Sequence, residues 1–348
     1  MQAVQLTAHG GREALSYDEV PDPEPADDEV LVDVKAGALN HLDVWTRRGL
    51  PGLDLSMPHV PGSDAAGVVT AVGEDVSRFE PGDRVAVWAG VNCGTCEFCR
   101  RGEPTLCVDY HVLGEHTSGV HAERIAVPED NLLSVPEGVD WEHAAAAPLV
   151  FGTAWRMLLE RGDLTEGESI LVLGASGGVG HAAVQIAAHA GAEVFAAAST
   201  PEKREYAAEI GADHTIDSSA DEFAETIRAE TGNRGVNVVV DHVGAATWDD
   251  SLRSLARGGR VLTCGATTGG RPQTNVNRIF WNQLQVIGST MAAPGVAERA
   301  CSLVWDGPFE VRIRDVLPMS EIACGHELLE AREGFGKVVV VPDGEFDG

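Results

Sequence analysis

Lysine is almost missing: Lys35, Lys203 and Lys337 are the only three among 348 residues. Lysine and arginine together number 25 against 54 aspartates and glutamates, a net charge of −29. A nucleic-acid partner calls for a basic stripe, and none is present. No run of about 18 apolar residues occurs, which excludes a membrane-spanning helix. The start, MQAVQLTAHGGREAL, lacks a basic segment followed by an apolar one, so no secretory signal is read. Cys264, Cys301 and Cys324 stand singly, as suits a reducing cytoplasm and not a disulfide framework. No internal repeat or low-complexity linker interrupts the chain. The acid is spread out, as in PDPEPADDE, DSSADEFAET and PDGEFDG. Such charge opposes compaction at ordinary salt and is screened at molar salt, where the Debye length is about 3 Å. The composition resembles that of proteins from salt-accumulating halophiles.

What is present begins with four clustered cysteines. Cys93, Cys96, Cys99 and Cys107 follow C-x2-C-x2-C-x7-C in NCGTCEFCRRGEPTLC. Tight turns of this spacing strain a disulfide and suit four thiolates around one tetrahedral zinc. Four protein ligands close such a site, so the metal is expected to fold a lobe and leave no position for substrate.

The chain changes texture near residue 149. Before it come short Val-containing runs broken by Gly and Pro, EVLVDVKAG, GVVTAVG, DRVAVWAG and ERIAVPED, which read as an antiparallel barrel-like domain. After it, ESILVLGASGGVGHAAVQIAAHAGAEVFAAAS reads strand, Gly-rich turn, helix, strand. The apolar run Ser169 to Leu173 suits a strand buried on both faces. A helix is expected over about 181–190, ended by Gly191, and further strands at Val236 to Val240, Gly259 to Thr263 and Gln285 to Gly288. This alternation predicts a doubly wound parallel sheet. The expected organisation is α/β: a β-rich domain from 1–148 and 291–348, and a Rossmann domain from 149–290.

Ala175-Ser176-Gly177-Gly178-Val179-Gly180 is an A-x-G-x-x-G form of the dinucleotide fingerprint. Gly177 admits the pyrophosphate to the backbone, Gly180 lets strand and helix pack, and the helix N-terminus faces the phosphates. A nicotinamide adenine dinucleotide is the expected cofactor. The second strand ends in Ala198-Ser199-Thr200-Pro201-Glu202-Lys203-Arg204, with no acid at its end for the ribose hydroxyls. Ser199, Thr200 and Lys203 suit a 2′-phosphate, so NADP(H) is favoured over NAD(H).

The cysteine quartet, the A-S-G-G-V-G and P-G-D-R-V turns, and the segments GALNHLDVW, PHVPGSDAAGVVTAVG and APLVFGTAW together resemble the medium-chain dehydrogenase/reductase superfamily. The resemblance runs over essentially the whole chain. It implies a GroES-like catalytic domain beside the Rossmann domain, and a dimer or tetramer joined by Rossmann edge strands, here Gln285 to Gly288. It also implies cofactor contacts at His41, Thr153, Gly265 and Lys337, the last on the pyrophosphate.

Zinc alcohol dehydrogenases of this superfamily carry a second, catalytic zinc on Cys, His with a neighbouring Glu, and Cys. By alignment Asn40 stands at the first position, Ser63 and Asp64 at the His-Glu pair, and Leu149 at the last. Those residues do not make a catalytic zinc site. The relay hydroxyl position holds Leu42, and Asp43 matches a supporting acid. The chain therefore resembles the branch that keeps only the structural zinc, akin to quinone oxidoreductases and enoyl thioester reductases. The implied chemistry is hydride addition to a small quinone or activated alkene, with Asn40, Asp43, Ser63 and Asp64 as candidate catalytic residues. Asn40 and Ser63 are the expected hydrogen-bond donors. The alternative is an alcohol dehydrogenase with a nonstandard site.

Overall fold

Alternation builds the first sheet. In the strand Glu29–Ala38, Val30, Val32, Val34 and Ala36 are buried while the residues between them are half-buried, a period of two with one face on a core. The computed structural model describes residues 1–50, 52–219 and 223–346. Its contacts divide the chain into Met1–Leu149 with Ala292–Gly348, and Val150–Met291.

The first unit carries a seven-stranded sheet in the order Ile313–Pro318, Lys337–Val341, Glu29–Ala38, Asp64–Val72, Arg84–Val87, Leu132–Ser134, with Arg124–Pro128 also on Glu29–Ala38. Its pairings are antiparallel except for Ile313–Pro318 with Lys337–Val341. Two registers fix the geometry at the end of Glu29–Ala38. Val339 faces Ala38 and Val340 faces Gly37, so two further residues of that register bring Lys337 opposite Asn40. Ala38 faces Asp64 on its other side. Three segments distant in sequence thus end at one point. Strand approach is close in this sheet: a Cβ on Gly67 would lie 2.0 Å from the Asp33 carbonyl oxygen, so no larger residue fits.

The second unit is a six-stranded parallel sheet, ordered His214–Asp217, Glu193–Ala198, Ser169–Leu173, Val236–Val240, Leu255–Thr263, Gln285–Gly288. Ser169–Leu173 is buried throughout, as its apolar run predicts. The helix after it spans Gly178–His189, starting before the expected 181, and Gly191 follows it at φ 77°. The strand expected at Gly259 begins at Leu255 and passes through a register shift against Val236–Val240. Leu171, Phe195, Val239, Leu252 and Val261 belong to the core. The order reverses at Ser169–Leu173, whose neighbours are the next strand on one side and Val236–Val240 on the other. Ligands of such sheets bind beyond the strand ends at this switch point. No helix among the described residues is long and apolar enough to cross a membrane.

Candidate active site

The fingerprint turn follows the switch-point strand directly. Gly174 has φ 59°, and Gly177 caps the helix Gly178–His189 in extended conformation. A Cβ on Gly180 would lie 2.0 Å from the Gly174 carbonyl oxygen, which is why helix and strand approach only through glycine here. Gly177 is exposed, and Ser176, Gly178 and Val179 are half-buried, leaving backbone N–H groups at the helix start for an anion. Thr200 caps the helix Pro201–Glu209, its hydroxyl accepting from the Lys203 N–H at 3.3 Å. Arg204 donates to the Ala198 carbonyl at 3.1 Å and pairs with Asp217 at 3.1 Å. An acid does therefore stand beside the second strand's end, carried by the third strand, where Ala198 faces Asp217. Thr153 is buried near Met291, and the Gly265 carbonyl accepts from Thr263 at 3.1 Å.

Two residues here went unnoticed in the sequence. Buried Asp241, just past Val236–Val240, accepts from the Val243 and Gly244 N–H groups at 2.9 Å and from the hydroxyls of Thr247 and Ser251. It fixes the loop that carries His242. The His242 ring lies against Gly174, its Nε2 3.1 Å from where a Cβ would stand, and burial lowers its pKa. The signal was D-H-V-G after an apolar strand.

The first unit holds a separate polar cluster. Asn40 precedes the helix His41–Arg48, and Asp43 reaches back to the Asn40 N–H at 2.7 Å, locking the turn. His41 opens that helix, its ring 6.3 Å from that of Trp45. Asn40 Nδ2 donates to Asp64 Oδ2 at 2.8 Å, and the Leu149 N–H donates to Asp64 Oδ1 at 3.1 Å. Lys337 Nζ donates to Asn40 Oδ1 at 2.7 Å and to Asp64 Oδ2 at 3.3 Å. Asn40, Asp43, Ser63, Asp64 and Lys337 are all buried. The structure brings together the three segments that align with catalytic-zinc ligands, and Lys337 with them.

Lys337, expected on the cofactor pyrophosphate, is 3 % exposed and donates to Asn40 and Asp64. The two-strand register at Ala38 makes that contact. Ser63 was expected to donate to substrate; its hydroxyl donates to the Leu113 carbonyl at 2.7 Å and has no second proton.

Burial raises the pKa of Asp43 to about 7, opposed first by the Asn40 N–H and then by Lys337. Burial also raises Asp64, opposed by Lys337, Asn40 and the Leu149 N–H. The groups around Asp64 all donate to it, which is the pattern of an ionised carboxylate. Buried His121 sits against Gly37 and Gly62, and burial pushes it down to about 4, so its imidazole is neutral. His59 is tied to the Gly114 carbonyl at 3.0 Å, and His116 is paired with Glu115 at 3.5 Å.

Asn40, Ser63 and Leu149 supply no metal ligand of the required kind, and Asp64 alone is not enough. A catalytic zinc does not fit this cluster. Structural zinc fits the other one. The sulfurs of Cys93, Cys96, Cys99 and Cys107 all lie within 4.8 Å of one another. A tetrahedron with Zn–S of about 2.3 Å has edges of about 3.8 Å. The N–H groups of Cys96 and Asp109 point at the Cys93 and Cys107 sulfurs at 3.3 and 3.4 Å, favouring thiolates. Hydrogen bonds, that of the Thr95 N–H first, draw Cys93 down to about 6. Among the described residues no other group of three or more His, Cys, Asp or Glu is placed to hold a metal.

Residues 26–137 match the alcohol dehydrogenase GroES-like domain, and residues 178–306 match the zinc-binding dehydrogenases. The chain is 34% identical to an acryloyl-coenzyme A reductase of Metallosphaera sedula over 98% of this chain and 99% of that protein. It is 33% identical to a quinone oxidoreductase of Pseudomonas aeruginosa, covering 97% and 99%. A solved structure described as an NAD-dependent alcohol dehydrogenase superposes with a TM-score of 0.94 at 42% identity, covering 98% and 99%.

Proposed function

We propose that this chain, which belongs to the medium-chain dehydrogenase/reductase superfamily and within it to the zinc-binding, quinone oxidoreductase-like family, uses NADPH to reduce an activated alkene or quinone without a catalytic zinc. One observation carries this reading. The three positions that would ligate a Lewis-acidic metal are Asn40, Ser63 and Leu149, and their polar atoms are bonded within the cluster. Alcohol oxidation must remove a hydroxyl proton as hydride leaves, and neither a metal donor set nor a relay hydroxyl is present for it. Hydride addition to a conjugated acceptor needs only that charge on a carbonyl oxygen be stabilised.

In this reading Asn40, Asp43 and Asp64 form the acceptor side, and Ser63 holds the Leu113 carbonyl. Ser176 to Gly180, with Ser199, Thr200, Lys203, His41, Thr153, Gly265 and Lys337, hold the cofactor. The second strand ends at Ala198 without an acid of its own, Asp217 beside it is paired with Arg204, and Ser199 and Lys203 follow, which supports NADPH. One structural zinc sits on Cys93, Cys96, Cys99 and Cys107. Unpaired cysteines support a cytoplasmic setting.

The purified chain is expected to oxidise NADPH in the presence of an acryloyl thioester or a benzoquinone, and NADH more weakly. NADP+ with primary or secondary alcohols is expected to give no reduction above background. Cofactor reduction by an unactivated alcohol at a rate matching alkene reduction would sink the proposal. It would favour the second reading, an alcohol dehydrogenase, which the 42% identical structure supports.

We also propose a homodimer or homotetramer through Gln285–Gly288. That strand ends its sheet, and Val286, Phe280 and Trp281 beside it are 48, 61 and 69% exposed. A bare strand edge with exposed apolar neighbours suits a second copy of itself. Light scattering in high salt is expected to show at least a dimer, and Trp281→Glu to shift it toward monomer. A monomeric wild type refutes this arrangement.

A further inference from the structure

We propose that a cleft in the second unit, walled by Arg228, Arg253 and Arg278, binds the phosphate groups of a small phosphorylated molecule at a site separate from the dinucleotide. This site is independent of the reductase reading above.

The sequence sets the region apart. From Ser251 to Ala297 there are five arginines and no aspartate or glutamate, in a chain with 54 acids among 348 residues. Two of the five, Arg253 and Arg278, meet Arg228 around an open cleft of about 590 Å³. Arg228 comes from the helix Phe223–Glu230, Arg253 from Trp248–Ser254 and Arg278 from Val276–Asn282. Among the described residues Glu225 is the one carboxylate on the wall.

The positive charges on the wall outnumber the negative ones and are left unbalanced. Arg228 gives all five of its N–H protons to backbone carbonyls, those of Asn233, Arg234, Arg253 and Leu255, at 2.7 to 2.9 Å. That anchors its guanidinium without any carboxylate. Arg278 Nε is buried and has no hydrogen-bond partner among the described residues. Burial first, and then the charge of Arg278, hold the pKa of Arg228 down, so these two cations act on each other directly. Arg253 is paired, with Asp250 at 3.1 Å and Glu225 at 3.5 Å. Like charges set side by side cost free energy, and a chain so rich in acids has no shortage of residues to put between them. A bound anion removes that cost. Arg278 offers the planar fork that matches phosphate oxygens, and Arg228 adds a fixed charge behind it. The volume falls in the range of about 300–1,000 Å³ usual for small-molecule sites, so the ligand is larger than a single phosphate.

The cleft is not the cofactor site. Leu255 opens the strand Leu255–Thr263, so Arg228 is anchored where the parallel strands begin. The fingerprint turn follows Leu173, at the ends where they finish. Dinucleotides bind beyond those carboxyl ends, across the sheet from the three arginines.

The test measures binding of inorganic pyrophosphate by calorimetry at fixed ionic strength, with the fingerprint turn first saturated by NADP+ or NAD+, whichever the chain binds. Wild type, Arg278→Ala and Arg271→Ala are compared as full chains. Arg271 is an exposed arginine of the same acid-free stretch outside the cleft, so its loss changes the net charge equally. Wild type should take up pyrophosphate saturably. Arg278→Ala should weaken it about 10-fold or more, the cost of one charge-assisted contact, and Arg271→Ala less than about 2-fold. If Arg278→Ala does not fold, Arg278→Gln, which keeps an amide-tipped stem, should show the same loss. ADP identifies the source: tighter binding than pyrophosphate with the same dependence on Arg278 supports a nucleotide, and binding no tighter supports free phosphates. No saturable uptake by wild type overturns the proposal. Equal losses in Arg278→Ala and Arg271→Ala overturn it in favour of a diffuse positive field. A wild type indifferent to pyrophosphate, with a lower mass by light scattering in Arg278→Ala, overturns it in favour of an acidic side chain from a second copy.

Discussion

Replacing Cys107 with serine is expected to empty the cysteine lobe of metal and open it to proteolysis. The lobe has no core of its own. It is joined to the rest of its unit by a two-stranded ribbon, Gly90–Val91 with His111–Val112, and Leu106 and Val108 are 47 and 70% exposed. Four sulfurs within 4.8 Å of one another are its main link, and without a dication their thiolate forms repel. Zinc bound to such sites contributes folding free energy directly, roughly 10–16 kcal/mol in isolated zinc-finger peptides. In this larger chain the loss falls first on the lobe. Wild type should carry about one zinc per chain and Cys107→Ser near none. Trypsin should then cut at Arg100 and Arg101, which the metal-bound lobe protects. Cys324→Ser is the control, since that thiol is exposed and single. A Cys107→Ser protein that keeps its zinc and resists trypsin would mean that the quartet is not the metal site.

The difference between what could and could not be read from the chain is one of sequence distance. The quartet was legible because its ligands lie within 15 residues and the spacing itself carries the chemistry. The fingerprint turn was legible because strand, glycines and helix are consecutive. The parallel sheet and the edge strand Gln285–Gly288 follow from local apolar runs between turn signals. The contacts of Lys337 with Asn40 and Asp64 were not legible because those partners lie 297 and 273 residues away. Strand register decides that contact, and register is set by the packing of a whole sheet. Ser63 was misjudged for a related reason: its residue type allows donation to a substrate, but a carbonyl 50 residues away takes the proton. Asp217 comes beside Ala198 only through strand pairing. Asp241 binds locally, yet D-H-V-G shows no periodicity to mark it.

Raising KCl from about 0.1 to about 2 M is expected to raise the melting temperature by about 10 °C or more, because the Debye length falls from about 10 Å to under about 3 Å. At −29 the folded chain concentrates repulsion that an expanded chain relieves. Particular ion pairs offset this only in part. Arg47 and Arg48 share Glu330, and Arg260 takes Glu168, but with 54 acids to 25 bases most carboxylates have no cation to meet. Screening, unlike site binding, should act alike for NaCl and KCl and level off once the Debye length is shorter than the spacing of surface carboxylates. A melting temperature flat across this range would show that the acid is spread too widely to matter. The same field acts on substrates. A coenzyme A thioester is polyanionic and is repelled at low salt, whereas an uncharged quinone is not. Its KM should therefore fall with added KCl much more than that of the quinone. Parallel responses would assign the salt effect to the protein's stability and not to the encounter with substrate.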